Sequence, residues 1–112
     1  MLVHHKDLKP ERWYRFTLME QLGNIGSDVI RAIDWKNKGR LEDSRFAIER
    51  ALELIDLTVS DPKNRKRLRE VLRTREALVD YFFCDNEYST SDKIWEDYFN
   101  DFGYIAAMQR GR

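Results

Sequence analysis

The stretch DPKNRKRLREVLRTREALVDYFF, residues 61–83, decides how this chain folds. Its apolar residues recur at steps of three and four, which is the spacing of one buried stripe on an α-helix. The stripe comprises Leu68, Val71, Leu72, Leu78, Val79, Phe82 and Phe83. Pro62 follows Asp61, a pairing typical of a helix with an N-cap and a proline in its first turn. The segment therefore predicts a helix over about 62–84.

Three more helices are predicted around this one. Thr17 and Glu20 have the spacing of a capping box, and the apolar residues that follow predict a helix over 18–37. A dense apolar pattern predicts the next helix over 42–59, and serine and threonine caps before an aromatic run predict the last over 92–108. Since the connections are short, consecutive helices should run antiparallel. The sequence thus predicts an all-α, up-and-down four-helix bundle.

The composition describes one charged globular domain. Its 112 residues fit a single helical domain, 1–112, in which residues 1–12 are polar and aperiodic and predict a flexible N-terminal arm. No apolar run approaches the roughly 20 residues of a membrane span. The N-terminus lacks the apolar segment of a secretory signal, and Cys84 alone can form no internal disulfide. We therefore expect a cytoplasmic protein that does not cross a membrane.

Charge is separated along the chain, although the net formal charge is zero. From Lys63 to Arg75 there are seven basic residues and one acidic residue, a balance of +6. From Glu76 to Asp101 there are eight acidic residues and one lysine, a balance of −7. Such a dipole can orient the domain toward a partner, or let two copies dock through opposite patches.

Glycines and aromatic residues predict an interaction surface. Gly23 and Gly26 lie inside the first long helix, where each costs about 1 kcal/mol relative to alanine. Close approach of another helix or of a second subunit would offset that cost, and a kink is the alternative.

Fourteen aromatic residues, three Trp, five Tyr and six Phe, are hard to bury in so small a domain. We expect a non-enzymatic module that forms a homodimer or binds another protein. The candidate interface residues are Gly23, Gly26, Trp95, Tyr98 and Phe102.

The basic cluster predicts an alternative function. Cations at the start of a helix are unfavourable because the macrodipole there favours anions. Acidic side chains from another helix, or an anionic ligand such as phosphate, would offset this cost. The second interpretation makes the chain a nucleic-acid or nucleotide-binding domain. Its candidate binding residues are Arg65, Lys66, Arg69, Arg73, Arg75 and Asp80.

Arg75 interrupts the apolar stripe. A guanidinium among leucines needs a carboxylate, backbone carbonyls or a ligand, because an unpaired buried charge is costly. The sequence leaves two interpretations open, a structural ion pair and a residue of a binding site. The candidate carboxylates are Asp28, Asp34, Asp56 and Asp80.

Residues 75–82, REALVDYF, resemble the Arg-x4-His-x-Tyr motif of HEPN domains (higher eukaryote and prokaryote nucleotide-binding). These are small helical bundles that include RNA-cleaving toxins. Arg75 matches the arginine of the motif, Asp80 stands where the catalytic histidine would be, and Phe82 replaces the tyrosine. The resemblance implies a bundle that binds a nucleotide or a partner without the catalytic group. The blocks WKNKG, ERALELIDLT and DPKNRKRLRE also resemble those of small prokaryotic all-α proteins, which imply no activity.

Histidine occurs only at His4 and His5, in the predicted arm. A di-iron bundle needs Glu-x-x-His pairs on facing helices, and nucleophilic catalysis needs a base on a rigid element. A metal held by His4, His5 and Asp7 would lack the supporting hydrogen bonds that orient ligands. We therefore expect no metal, no cofactor and no enzymatic activity.

Overall fold

The computed structural model describes residues 3–110, apart from the side chains of Tyr104, Ala106, Ala107, Gln109 and Arg110. This part of the chain is all-helical, which confirms the predicted all-α class. The α-helices are α1 (Pro10–Trp13), α2 (Leu18–Asn37), α3 (Leu41–Ser60), α4 (Leu68–Phe83) and α5 (Asp92–Arg110), and a 3₁₀ helix (Pro62–Arg67) joins α3 to α4.

Helix α2 begins at the predicted capping box. The Thr17 hydroxyl accepts from the backbone N–H of Glu20 at 3.1 Å, and the Glu20 carboxylate accepts from the N–H of Thr17 at 2.9 Å. Gly39, at φ +77°, follows the helix in the left-handed conformation that glycine adopts without strain. These local signals explain why the observed bounds of α2 coincide with the predicted ones.

Helix α2 lies at the centre of the fold, because it packs against both α3 and α5. Its apolar face is fully buried, and α3, α4 and α5 contribute the rest of the core. The central residues are Ile25, Val29, Ala32, Ile33, Ile48, Ala51, Ile55, Leu78, Trp95 and Phe99. Helix α4 packs on α3, the 3₁₀ helix approaches both, and the outward side of α4 is left uncovered.

The glycines of α2 allow α5 to approach closely. A Cβ atom built on Gly26 would lie 2.6 Å from Cβ of Phe99, well inside any normal contact distance. A Cβ atom on Gly23 would lie 3.5 Å from Cα of Gly103, which is ordinary van der Waals contact. The close approach expected at these glycines therefore occurs between two helices of the same chain.

The prediction of an α-helix starting at residue 62 is wrong for its first six residues, which form the 3₁₀ helix. Asn64 is buried there and donates to the side-chain oxygen of Gln21 at 2.8 Å and to the carbonyl of Thr58 at 3.0 Å. Gln21 donates in turn to the Asp61 carboxylate at 2.9 Å. These distant bonds hold the tighter turn in place, so α4 begins only at Leu68.

Asp61 anchors this buried polar network. Burial opposes its ionisation, but hydrogen bonds from the Lys63 ammonium, the Gln21 amide and the backbone N–H of Lys63 outweigh that effect. The pKa of Asp61 is therefore lowered from its ordinary value. The carboxylate stays charged at neutral pH and caps the 3₁₀ helix.

The described part of the predicted arm, residues 3–12, lies along α3. The backbone N–H groups of Val3, His4 and His5 donate to the Glu53 carboxylate at 2.8–3.1 Å. Next along the chain, the buried Trp13 indole donates to the Thr58 hydroxyl at 3.0 Å. The N-terminal segment thus orders by lying on the body of the domain.

Replacing Gly26 with alanine should destabilise the fold, because the new methyl group meets Phe99 where neither backbone can withdraw freely. We expect Gly26→Ala to lower the free energy of unfolding by about 1–3 kcal/mol, the usual cost of overpacking. Gly23→Ala is the matched control, since it makes the same gain in helix propensity with room for the methyl group. Urea denaturation of both variants measures the difference. Equal stabilities would contradict a close approach at Gly26.

Candidate functional site

An open groove of about 940 Å³ runs along the outward face of α4. Among the residues that the structure describes, its lining comes from α4 and the loop after it, with no contribution from α2, α3 or α5. The lining residues are Leu68, Arg69, Leu72, Arg73, Arg75, Glu76, Val79, Asp80, Cys84, Glu87 and Tyr88. We call this surface the α4 groove.

The floor of the α4 groove is apolar. Leu68, Leu72 and Val79 follow one another at helical spacing, and the Leu72 residue is 44% exposed. Val71 and Leu78 point the other way and are buried in the core. The apolar stripe predicted from the sequence is thus divided between the two sides of α4, because its packing partner α3 covers only the inner one.

Arg75 lies at the edge of the α4 groove and pairs with Asp56 of α3. Its Nε donates to Oδ1 of Asp56 at 2.8 Å, with the two side chains 37% and 56% exposed. The partner is one of the four predicted carboxylates. The guanidinium is only half-buried, so the pair stabilises the fold by no more than about 1 kcal/mol.

Asp80 is 7% exposed, and its carboxylate is already bonded. One oxygen accepts from the backbone N–H of Glu87 at 2.9 Å and the other from the N–H of Tyr88 at 3.0 Å. The Asp80 carbonyl also accepts from the N–H groups of Cys84 and Asn86. Asp80 therefore fastens the loop between α4 and α5 to the end of α4, and this loop forms one wall of the groove.

Four exposed cations, Arg65, Lys66, Arg69 and Arg73, form no ion pair with any other described residue. Arg67, in contrast, pairs with Glu70 at 2.7 Å. Three of the four unpaired cations, Lys66, Arg69 and Arg73, recur at steps of three and four, so they share one side of the chain.

A second hollow, of about 560 Å³, lies on that side between α4 and α5. We call it the basic hollow. It is lined by Lys66, Arg67, Arg69, Glu70, Arg73, Thr74 and Tyr98. The Thr74 hydroxyl donates to the Glu70 carbonyl at 3.0 Å, which leaves the Tyr98 hydroxyl to donate to Thr74 at 2.9 Å. Burial raises the pKa of Tyr98 from its ordinary value, so its phenol is neutral at physiological pH.

The residues predicted as an interface lie mostly inside the chain. Gly23 and Gly26 face α5, as described above. Trp95 is 4% exposed and Phe102 is 9% exposed, both within the core, and Tyr98 is half-buried beside the basic hollow. Gly26, Trp95 and Phe102 therefore offer little surface to a partner.

A polar cluster that sequence patterns did not predict joins α2, α4 and α5. Lys36 at the end of α2 donates to Asp92 at 2.8 Å and to the Tyr81 hydroxyl at 2.9 Å, and Tyr81 also donates to Asp92. Burial opposes the charge on Asp92, but the hydrogen bonds from Lys36, Tyr81 and Asn37 outweigh it and lower its pKa. These residues lie 11 to 56 positions apart, so no local pattern links them.

Residues 3–110 contain no helix with the length and hydropathy needed to cross a membrane. In the same residues, with the side chains excepted above, no three potential ligands from His, Cys, Asp and Glu come together as a metal site would require.

Comparisons with protein-family models, curated proteins and solved structures found no match to this chain. The resemblance of residues 75–82 to the HEPN motif stays a prediction.

Substitution of Asp80 should loosen the loop after α4. In Asp80→Ala, the N–H groups of Glu87 and Tyr88 lose their acceptor, and we expect the free energy of unfolding to fall by about 1–3 kcal/mol. Asp56→Ala removes an exposed carboxylate of the same kind and should cost less than about 1 kcal/mol. Urea denaturation compares the two variants. If Asp80→Ala were as stable as Asp56→Ala, the anchoring role would be excluded.

Proposed function

We propose that this chain is a non-enzymatic protein-interaction module, built on an up-and-down four-helix bundle, that self-associates through the α4 groove. The observation that carries the proposal is the row of Leu68, Leu72 and Val79, on a face that no other helix lines within the described part of the chain. Contiguous apolar surface bordered by charged residues is typical of interaction sites. The usual composition of such sites, an apolar centre with a polar rim, matches this groove.

The charges around the groove favour a second copy as the partner. Arg69 and Arg73 border its first half, whereas Glu76 and Glu87 border its second half. A partner of uniform charge would meet like charges in one of the two halves, which is unfavourable. A second copy carries a basic and an acidic half in the same arrangement. It can therefore place its acidic half beside the basic half of the groove and its basic half beside the acidic half.

The chemistry of the groove supports a role without catalysis. Asp80 stands at the histidine position of the HEPN-like motif, and backbone N–H groups already hold its carboxylate. Histidine is the side chain whose ordinary pKa best suits proton transfer near neutral pH. The lining residues of the groove include no histidine. We also propose a cytoplasmic setting, which the single free cysteine, Cys84, supports.

Self-association should depend on Leu72. Leu72→Glu places a charge on the apolar floor, and since the side chain is already exposed, the fold should persist. We expect the wild-type protein to sediment as a dimer and Leu72→Glu to sediment as a monomer at the same concentration. Leu41→Glu changes an even more exposed leucine, outside the groove, and should leave the dimer intact.

Analytical ultracentrifugation over a wide concentration range measures both variants. A wild-type protein that remains a monomer at every concentration would overturn the proposal. A Leu72→Glu variant that dimerises as well as Leu41→Glu would place the interface elsewhere.

The basic hollow favours a second candidate function, nucleic-acid or nucleotide binding. Lys66, Arg69 and Arg73 are exposed around one depression and have no carboxylate partner among the described residues. Three such cations around one depression form a suitable environment for phosphate oxygens. In this function Arg75 and Asp80 would support the fold, because each already has its own partner.

Phosphate binding in the basic hollow should weaken steeply with salt, because each neutralised phosphate releases counterions. We expect single-stranded RNA or DNA oligonucleotides to bind at low salt and to be released as salt rises. Arg69→Glu and Arg73→Glu should each reduce affinity and the salt slope, whereas Arg12→Glu makes the same charge change outside the hollow and should not. Fluorescence anisotropy measures all four proteins. Absence of binding at low salt would rule this function out.

A further inference from the structure

We infer that the segment bound in the α4 groove is α4 of a second copy, antiparallel to the first, with a two-fold axis between Arg75 and Glu76. The inference rests on the self-association proposed above. It adds the identity of the docking segment, its direction and its register.

The direction follows from the charges along α4. Basic residues precede Glu76, and acidic residues predominate from Glu76 through the loop that follows. A parallel pair would place Arg69 and Arg73 beside the same residues of the second copy, where like charges repel. An antiparallel pair places the basic half of each helix beside the acidic half of the other. A two-fold axis then repeats every contact, as in most homodimers.

The register follows from the apolar row. With the axis between residues 75 and 76, Leu72 of one copy lies opposite Val79 of the other. Leu68 then lies opposite Phe83, which is 44% exposed at the last turn of α4, just outside the lining of the groove. Moving the axis one turn toward the N-terminus, to Leu72, would place Val79 opposite Arg65. The register about residues 75 and 76 therefore gives all three apolar residues of the floor an apolar residue opposite.

The charged residues agree with the same register. At the axis, Arg75 of one copy lies opposite Glu76 of the other. Arg75 bonds to Asp56 through Nε, and neither of its Nη groups bonds to a described residue, so both can reach a second carboxylate. At each end, the exposed Lys66 approaches the loop that carries Asp85 and Glu87. The pairing thus supplies a second carboxylate to Arg75, and a first one to Lys66, which pairs with none among the described residues.

Engineered cysteines test the direction and register. In a Cys84→Ser background, Leu72→Cys and Val79→Cys are made as separate proteins. Because α-helices rise 1.5 Å per residue, two copies of residue 72 would lie about 10 Å apart along an antiparallel pair. A disulfide needs Cα atoms within about 7 Å, so each variant alone should not cross-link. A mixture of the two should form the 72–79 disulfide, and Glu76→Cys alone should cross-link next to the axis.

Oxidation followed by non-reducing electrophoresis measures these products, and sedimentation of each variant establishes whether it dimerises. Heterodimers in the mixture, with no Leu72→Cys homodimers, support the inference. If the protein dimerises but Leu72→Cys cross-links to itself, or no engineered pair cross-links, the antiparallel register is overturned and self-association stands. If no dimer forms at any concentration, the proposed function is overturned as well.

Discussion

Gly26 and Phe99 meet where α2 and α5 pack together, and their contact sets how closely the two helices approach. It brings α5 against α2 at a distance that no other residue at position 26 would allow. Most of the aromatic face of α5 is buried as a result, with Trp95, Phe99 and Phe102 all in the core. With α2 covered by α3 on one side and by α5 on the other, α4 packs on α3, and none of the other described helices covers its outer face. The α4 groove thus lies on the outer face of α4 because α3 and α5 occupy the two sides of α2.

A second constraint fixes where α4 begins. Gln21, Asp61 and Asn64 form a buried chain of hydrogen bonds between α2 and the turn that precedes α4. Buried polar groups are costly unless all of them are bonded, so this network permits few alternative geometries. The network places the basic residues between Lys63 and Arg75 at the surface. It also sets the direction in which the chain continues from α3 into α4. The basic and acidic stretches of the sequence therefore lie at opposite ends of the exposed face of α4.

Local patterns predicted the helices well and the surfaces poorly. The capping box at Thr17 and the periodicity after it gave α2 with its observed bounds, because a helix is specified by neighbours in the sequence. The 3₁₀ helix was missed because Asn64 bonds to Gln21, 43 residues away. A partner for Arg75 was expected, but only the packing of α4 on α3 selects Asp56. Composition showed that the domain is rich in aromatic residues without indicating that Trp95 and Phe102 would be buried.

The outward position of the α4 groove also bears on how such a domain can change during evolution. Leu72 and the charged residues around it contribute little to the core, so substitutions there cost little folding stability. The residues that determine stability, such as Gly26 and Phe99, belong to a different interface of the molecule. The outer face of α4 and the packing of the core are therefore encoded by largely separate sets of positions. A lineage that carries this domain can vary that outer face while the same helical framework is inherited unchanged.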